Sequence, residues 1–234
     1  AVVVGTMTGT ITVADTTYTN VTVNGAATKT LVGSEWLNKP STPVAKVEAK
    51  VGDVYYLTLE AAIDAANAAT GNQIVTILVP EMSKDITIIQ KEGTNITLDG
   101  NGVVYAGRIS IHGGSRAVTG ETCTIENFAF KANGTHDFIW SSDNSAGSTV
   151  RYARNITVQN CTFEGDGTNS AVAIRIGQGY NITVKDVTAT GLHSLMQLTA
   201  CTGVTVDGVK VTESKSGIAL GTSKGVTVKN VTMS

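Results

Sequence analysis

Apolar and polar residues alternate with a period of two along most of this chain, and the alternation repeatedly breaks and restarts. Six stretches follow one template: Asn95-Ile-Thr-Leu-Asp-Gly-Asn101, Thr122-Cys-Thr-Ile-Glu-Asn-Phe128, Asn155-Ile-Thr-Val-Gln-Asn-Cys161, Asn181-Ile-Thr-Val-Lys-Asp-Val187, Gly203-Val-Thr-Val-Asp-Gly-Val209 and Gly225-Val-Thr-Val-Lys-Asn-Val231. Their starts lie 27, 33, 26, 22 and 22 residues apart, the spacing of stacked supersecondary units. The second and fourth positions are apolar and the third is always Thr, the pattern of a strand with one buried face. After the sixth position the phase shifts, which a strand cannot do without flipping faces, so a corner is predicted there. That position holds Gly100, Asn127, Asn160, Asp186, Gly208 and Asn230, residue types that accept a left-handed backbone.

A further strand precedes each of the later copies. Ile174-Arg-Ile176, Met196-Gln-Leu198 and Ile218-Ala-Leu220 are again 22 residues apart. Their apolar residues stack inward, and Arg175, Gln197 and Ala219 line up outside. Three short strands per coil predict a parallel β-helix, in which no coil can bury its apolar face alone.

The pattern changes toward the N-terminus. Residues 58–70 are Ala-rich, with Leu59, Ala62, Ile63 and Ala66 on one helical face, Thr58 as N-cap and Gly71 as a stop. They predict the one helix. Buried strands are expected at Gln73–Val79 and at Ile86–Ile89. Residues 1–50 form an N-terminal segment with two alternating strands, at Gly9–Val13 and Asn20–Asn24, and a linker from Gly33 to Pro43. The β-helix occupies 51–234 and is expected to continue beyond Ser234.

Composition narrows the picture. With 234 residues and 41% hydrophobic content the chain can bury a sizeable core, while abundant Thr and Val favour strands. A net charge of −2 gives no case for nucleic acid, and no apolar run is long enough to insert in a membrane. Cys123, Cys161 and Cys201 form neither a disulfide framework nor a zinc pattern; the first two fall at apolar template positions and read as buried thiols. Of seven Asn-x-Thr sequons most are by-products of the template.

These features resemble the right-handed parallel β-helix of the pectin-lyase-like superfamily over residues 51–234. The sixth-position row is similar to that family's asparagine ladder, and the helix at 58–70 to its N-terminal cap. The run Val51-Gly-Asp-Val-Tyr-Tyr-Leu-Thr-Leu-Glu-Ala-Ala-Ile-Asp-Ala-Ala66 also resembles the start of the β-helix in bacterial surface and adhesin-like proteins. The resemblance implies an all-β, three-sheet solenoid with a capping helix, secreted or at the cell surface. It implies substrate on the outer face of the first sheet, the row holding Ser110, Arg175, Gln197 and Ala219.

Candidate chemistry is sparse on that face. The pectate-lyase-like enzymes use an arginine base with acidic calcium ligands, and Arg175 is the candidate catalytic residue. No carboxylate cluster stands in step with it, and the polygalacturonase-like Asn-Thr-Asp, Asp-Asp and Gly-His-Gly motifs are missing. Asp99 and Glu126 share the fifth template position, beside the ladder. Residues 131–154 are the longest excursion from the repeat and carry His136, Asp137, Trp140, Asp143 and Arg151. Aromatics beside Asp and Arg suit sugar rings, and solenoids place insertions on one face; Phe138-Ile-Trp140 must also supply a strand, which would make Trp140 core. With Arg175 and Gln197 these are the ligand-binding candidates. His112 and His193 lie in or near turns and offer no metal cluster. No cofactor is expected, calcium entering only with a lyase.

Three functions stay open. One is a non-catalytic surface module, adhesin-like or structural. Another is a polysaccharide lyase or glycoside hydrolase. The third is a glycan-binding module without turnover. Expected partners are glycans or a host surface, with end-to-end contact at the C-terminal coil near Val226–Met233.

Overall fold

The second and fourth template positions go inward in every copy, and the strands they create stack coil on coil. The computed structural model describes residues 7–13, 16–23, 47–113, 120–132, 137–141, 153–166 and 171–234. Strands are numbered in chain order. One parallel ladder holds β5 (Gly71–Ile77), β8 (Thr94–Asp99), β11 (Cys123–Glu126), β14 (Arg154–Gln159), β17 (Tyr180–Thr190), β19 (Thr202–Thr212) and β21 (Lys224–Met233). From β8 onward its register puts the template copies level: Ile96 beside Cys123, then Ile156, Ile182, Val204 and Val226. A second ladder holds β6 (Glu81–Met82), β9 (Val104–Tyr105), β12 (Ala129–Lys131) and β15 (Thr162–Glu164), and joins the first through β17. The separate six-stranded sheet holds β7 (Ile86–Ile89), β10 (Ile109–His112), β13 (Ile139–Ser141), β16 (Val172–Gly177), β18 (Ser194–Thr199) and β20 (Ser216–Gly221). The result is an all-β solenoid.

The expected corner lies at the sixth position, with one exception. Asn127, Asn160, Asp186, Gly208 and Asn230 all have φ between 52° and 66°. In the first copy the left-handed residue is Asn101 (φ 51°) and not Gly100. Gly100 is instead packed where an added Cβ would lie 2.7 Å from the Phe128 ring, so size and not backbone freedom selects glycine there. In the later coils the corner does not end the strand: β17 pairs with β14 through Lys185 and with β15 from Thr188, bending at Asp186. Further left-handed rows stack at other corners, Asn155, Asn181, Gly203 and Gly225 in one and Gln178, Ala200 and Thr222 in another.

The interior is continuous along the stack. Tyr105, Phe130 and Phe163 follow one another across β9, β12 and β15, and the Phe130 and Phe163 rings lie parallel at 4.7 Å. Phe138 leans on both from the six-stranded sheet. Cys123, Cys161 and Cys201 are all buried thiols. Burial pushes Cys123 and Cys161 up to about 12 and raises Cys201 as well, so none offers a ready thiolate. Two interior hydroxyls, Ser141 and Ser194, have no hydrogen-bond partner among the described residues. In the final copy Val228 is 47% exposed, whereas its neighbour Val206 in the preceding coil is fully buried.

The helix α1 (Leu59–Ala68) buries Leu59, Ala62, Ile63 and Ala66, the face expected. Thr58 Oγ1 accepts from Ala61 N at 3.2 Å, and Glu48 accepts from Leu59 N at 2.9 Å. Asn67 meets the outer edge of β7: its Oδ1 accepts from Ile89 N and its Nδ2 donates to Thr87 O. Lys84 bridges Glu48 at 2.8 Å and Glu60 at 3.1 Å. Burial alone would lower the Lys84 pKa, but those two carboxylates outweigh it and leave it raised.

The N-terminal strands β1 (Met7–Val13) and β2 (Thr16–Val23) form an antiparallel hairpin, and β2 joins the main sheet through β4 (Val54–Tyr56). Beside β4, β3 (Ala49–Val51) pairs antiparallel with both β4 and β5. The linker expected at 33–43 lies outside the described residues. The buried strand expected at 73–79 is β5, and it is only half buried, with Ile74 pointing out at 53% exposure.

Candidate functional site

The outer face of the six-stranded sheet carries one residue per coil in a straight row. Thr87, Ser110, Trp140, Arg175, Gln197 and Ala219 are neighbours in register. Adjacent strands sit about 4.8 Å apart, so successive members of the row can touch. Strand alternation settles the position of Trp140. Ile139 is fully buried, and Trp140 therefore faces out, half-buried. It is not core, which the run Phe138-Ile-Trp140 had left open because all three residues are apolar.

Arg175 is fixed on both sides. Its Nε donates to Asp137 Oδ2 at 2.7 Å, and its Nη1 donates to Gln197 Oε1 at 2.6 Å. Asp137 enters the row from the coil below, just ahead of β13, and its side chain is 15% exposed against 43% for Arg175. Arg108 closes the same corner: its Nε donates to Asp137 O at 3.3 Å, and its backbone N–H donates to Asp85 Oδ1 at 2.7 Å. His112 stands two residues beyond Ser110 on β10, its ring edge-on to Trp140 at 6.3 Å between centroids.

Of the seven candidates, the structure brings Asp137, Trp140, Arg175 and Gln197 together. His136, Asp143 and Arg151 fall outside the described residues. Two participants, Arg108 and His112, were not among the ligand-binding candidates. The alternation Ile109-Ser-Ile-His carried the signal for His112: it shares the outward phase of Ser110 and is the last residue of β10. Arg108 had no such signal, because it lies one residue before its strand.

Chemically, the patch combines an aromatic surface with a fixed set of polar groups. Trp140 offers a flat apolar face; Asp137 and Gln197 add acceptors and an amide donor, and Arg175 its remaining guanidinium hydrogens. Such a set suits a ring with an apolar face and hydroxyl edges. Two-carboxyl glycoside hydrolysis needs acids about 5–10 Å apart across the bond; the carboxylate described in this patch, Asp137, is ion-paired with Arg175.

Three fifth-position acids of the template have structural roles. Asp99 Oδ1 accepts from Asn127 Nδ2 at 2.9 Å, Glu126 accepts from Gln159, and Asp207 accepts from Asn230 at 2.7 Å, so these fifth-position acids tie coil to coil beside the ladder. The hydrogen bonds from Asn230 and Lys229 hold the Asp207 carboxyl below its ordinary range. A cleft of about 400 Å³ lies beside α1, lined by Glu48 and residues 79–84, and its lysine is the ion-paired Lys84. No group of three or more His, Cys, Asp or Glu side chains is placed to hold a metal among the described residues. No helix among them is long and apolar enough to cross a membrane.

No protein-family model, curated protein or solved structure shows significant similarity to this chain.

Proposed function

We propose that the chain is a non-catalytic, secreted or cell-surface module that binds glycans on the outer face of the six-stranded sheet. The observation that carries this reading is the half-buried Trp140 in register with Arg175, which is itself locked between Asp137 and Gln197. A rigid aromatic platform flanked by preorganised polar groups binds sugar rings with little entropy loss. The scaffold reading is a right-handed, three-sheet β-helix of pectin-lyase-like type. Its handedness rests on the strong preference of parallel crossovers, its three faces on the two merging ladders plus the separate sheet, and its cap on the Asn67 contacts with the edge of β7.

Glycan-array binding of the protein and of Trp140→Ala tests the reading. Binding to a polysaccharide that falls at least tenfold in Trp140→Ala, with the melting temperature held within a few degrees, is expected. Absence of binding to any plant, bacterial or host glycan would sink it. The enzyme reading has one observation in its favour, the direct Arg175–Asp137 contact. Release of reducing ends or unsaturated products that Arg175→Ala abolishes would establish it in place of the binding module.

A further inference from the structure

We infer that Asp137 sets the charge preference of this face, making it a site for neutral glycans and closing it to polyuronates; this rests on the glycan-binding reading above. The face has the cations that an acidic polysaccharide would seek, Arg108 and Arg175. Arg175 is already answered, since it gives its Nε hydrogen to the Asp137 carboxylate at 2.7 Å, and the Arg108 guanidinium is turned onto the backbone oxygen of the same residue, its Nε donating to Asp137 O at 3.3 Å. Gln197 occupies a second Arg175 hydrogen with a neutral oxygen. A uronate carboxylate arriving beside Trp140 would have to displace Asp137 from Arg175 or lie next to it as a like charge. A hydroxyl meets neither obstacle, since it can accept from a remaining Arg175 hydrogen and donate to an Asp137 lone pair.

The geometry also explains why one side chain suffices as the gate. Asp137 is mostly covered, so its charge is less screened than that of an exposed acid, and it touches the one arginine in the row. Replacing it by Asn keeps the size and one acceptor for Arg175 Nε while removing the charge.

The test uses two probes with one backbone, polygalacturonate and its fully methyl-esterified, neutral form, measured by affinity electrophoresis at low and high salt. The wild type is expected to be retarded by the neutral polymer at least as strongly as by the acid. Asp137→Asn is expected to gain at least tenfold in affinity for polygalacturonate, lost at high salt. Asp64→Asn, the same change in net charge on the exposed side of α1, is expected to gain nothing. The gain should vanish in Asp137→Asn combined with Arg175→Gln. No gain in Asp137→Asn, or an equal gain in Asp64→Asn, overturns the inference. If the Asn variant fails to fold, the wild type decides, because tighter binding to polygalacturonate than to the ester overturns it as well. Wild-type binding to neither polymer nor any other glycan would defeat the binding reading itself, while a gain specific to Asp137→Asn would still show Asp137 as the gate.

Discussion

Two outward rows of this solenoid share the same geometry and differ in everything else. On the first ladder the third template position is Thr in all six copies: Thr97, Thr124, Thr157, Thr183, Thr205 and Thr227 lie side by side in register. On the six-stranded sheet the corresponding row reads Thr87, Ser110, Trp140, Arg175, Gln197 and Ala219. A β-branched residue with a hydroxyl fits any half-exposed strand, so the first row says only that a sheet is there. The second row spends the same positions on five further residue types. In a repeat protein, departure from the repeat is where recognition can be written, and here it coincides with the longest excursion of the chain.

The scaffold side of the comparison should fail hardest when its interior is cut. Phe163 is fully buried, lies parallel to Phe130 at 4.7 Å and touches Phe138. Phe163→Ala is expected to cost about 3–5 kcal/mol, read from the shift in denaturant midpoint at constant slope. A loss below about 1 kcal/mol would mean that neighbouring coils refill the space, and that coils are less tightly coupled than the aromatic stack suggests.

Alkali probes the same interior more gently. Cys123 and Cys161 keep their protons up to about pH 12 in the fold, whereas an exposed thiol releases its proton near pH 9. Between those values the unfolded chain binds fewer protons, so stability falls as pH rises, by about 1.4 kcal/mol per pH unit for each thiol. The contribution is fully present below pH 9. Cys161→Ala should flatten this decline by one thiol's share, measured as denaturant midpoints from pH 8 to 11. An unchanged slope would mean that Cys161 is open to water.

Much of this was legible because the template repeats. Six copies gave the inward positions and the corner directly, and the spacing of Leu59, Ala62, Ile63 and Ala66 gave the face of α1, since each inference needed only local residues. The outer face was harder. Arg175 and Gln197 could be aligned because they stand 22 residues apart, in step with the later template copies, but Asp137 reaches Arg175 from a coil lengthened by the 131–154 excursion. With Phe138, Ile139 and Trp140 all apolar, the strand phase there was ambiguous by one residue, and a slip of one residue exchanges core for surface. Gly100 misled for a related reason: glycine serves both left-handed turns and tight packing, and only the Phe128 ring shows which of the two applies.

The smallest effect is the sharpest test of the comparison. Thr157 sits mid-row on β14 with Thr124 and Thr183 on either side, its side chain half in solvent. Thr157→Val keeps the branched shape and removes the hydroxyl. If the threonine row only satisfies the strand, stability should move by less than about 0.5 kcal/mol, the range for exposed positions without special contacts. Glycan binding should not change, whereas Trp140→Ala, an equally outward residue, should lose it. A binding loss in Thr157→Val comparable to that in Trp140→Ala would erase the distinction between the rows. Recognition would then belong to the regular surface of the solenoid, and the excursion that carries Trp140 and Asp137 would be one more decoration on it.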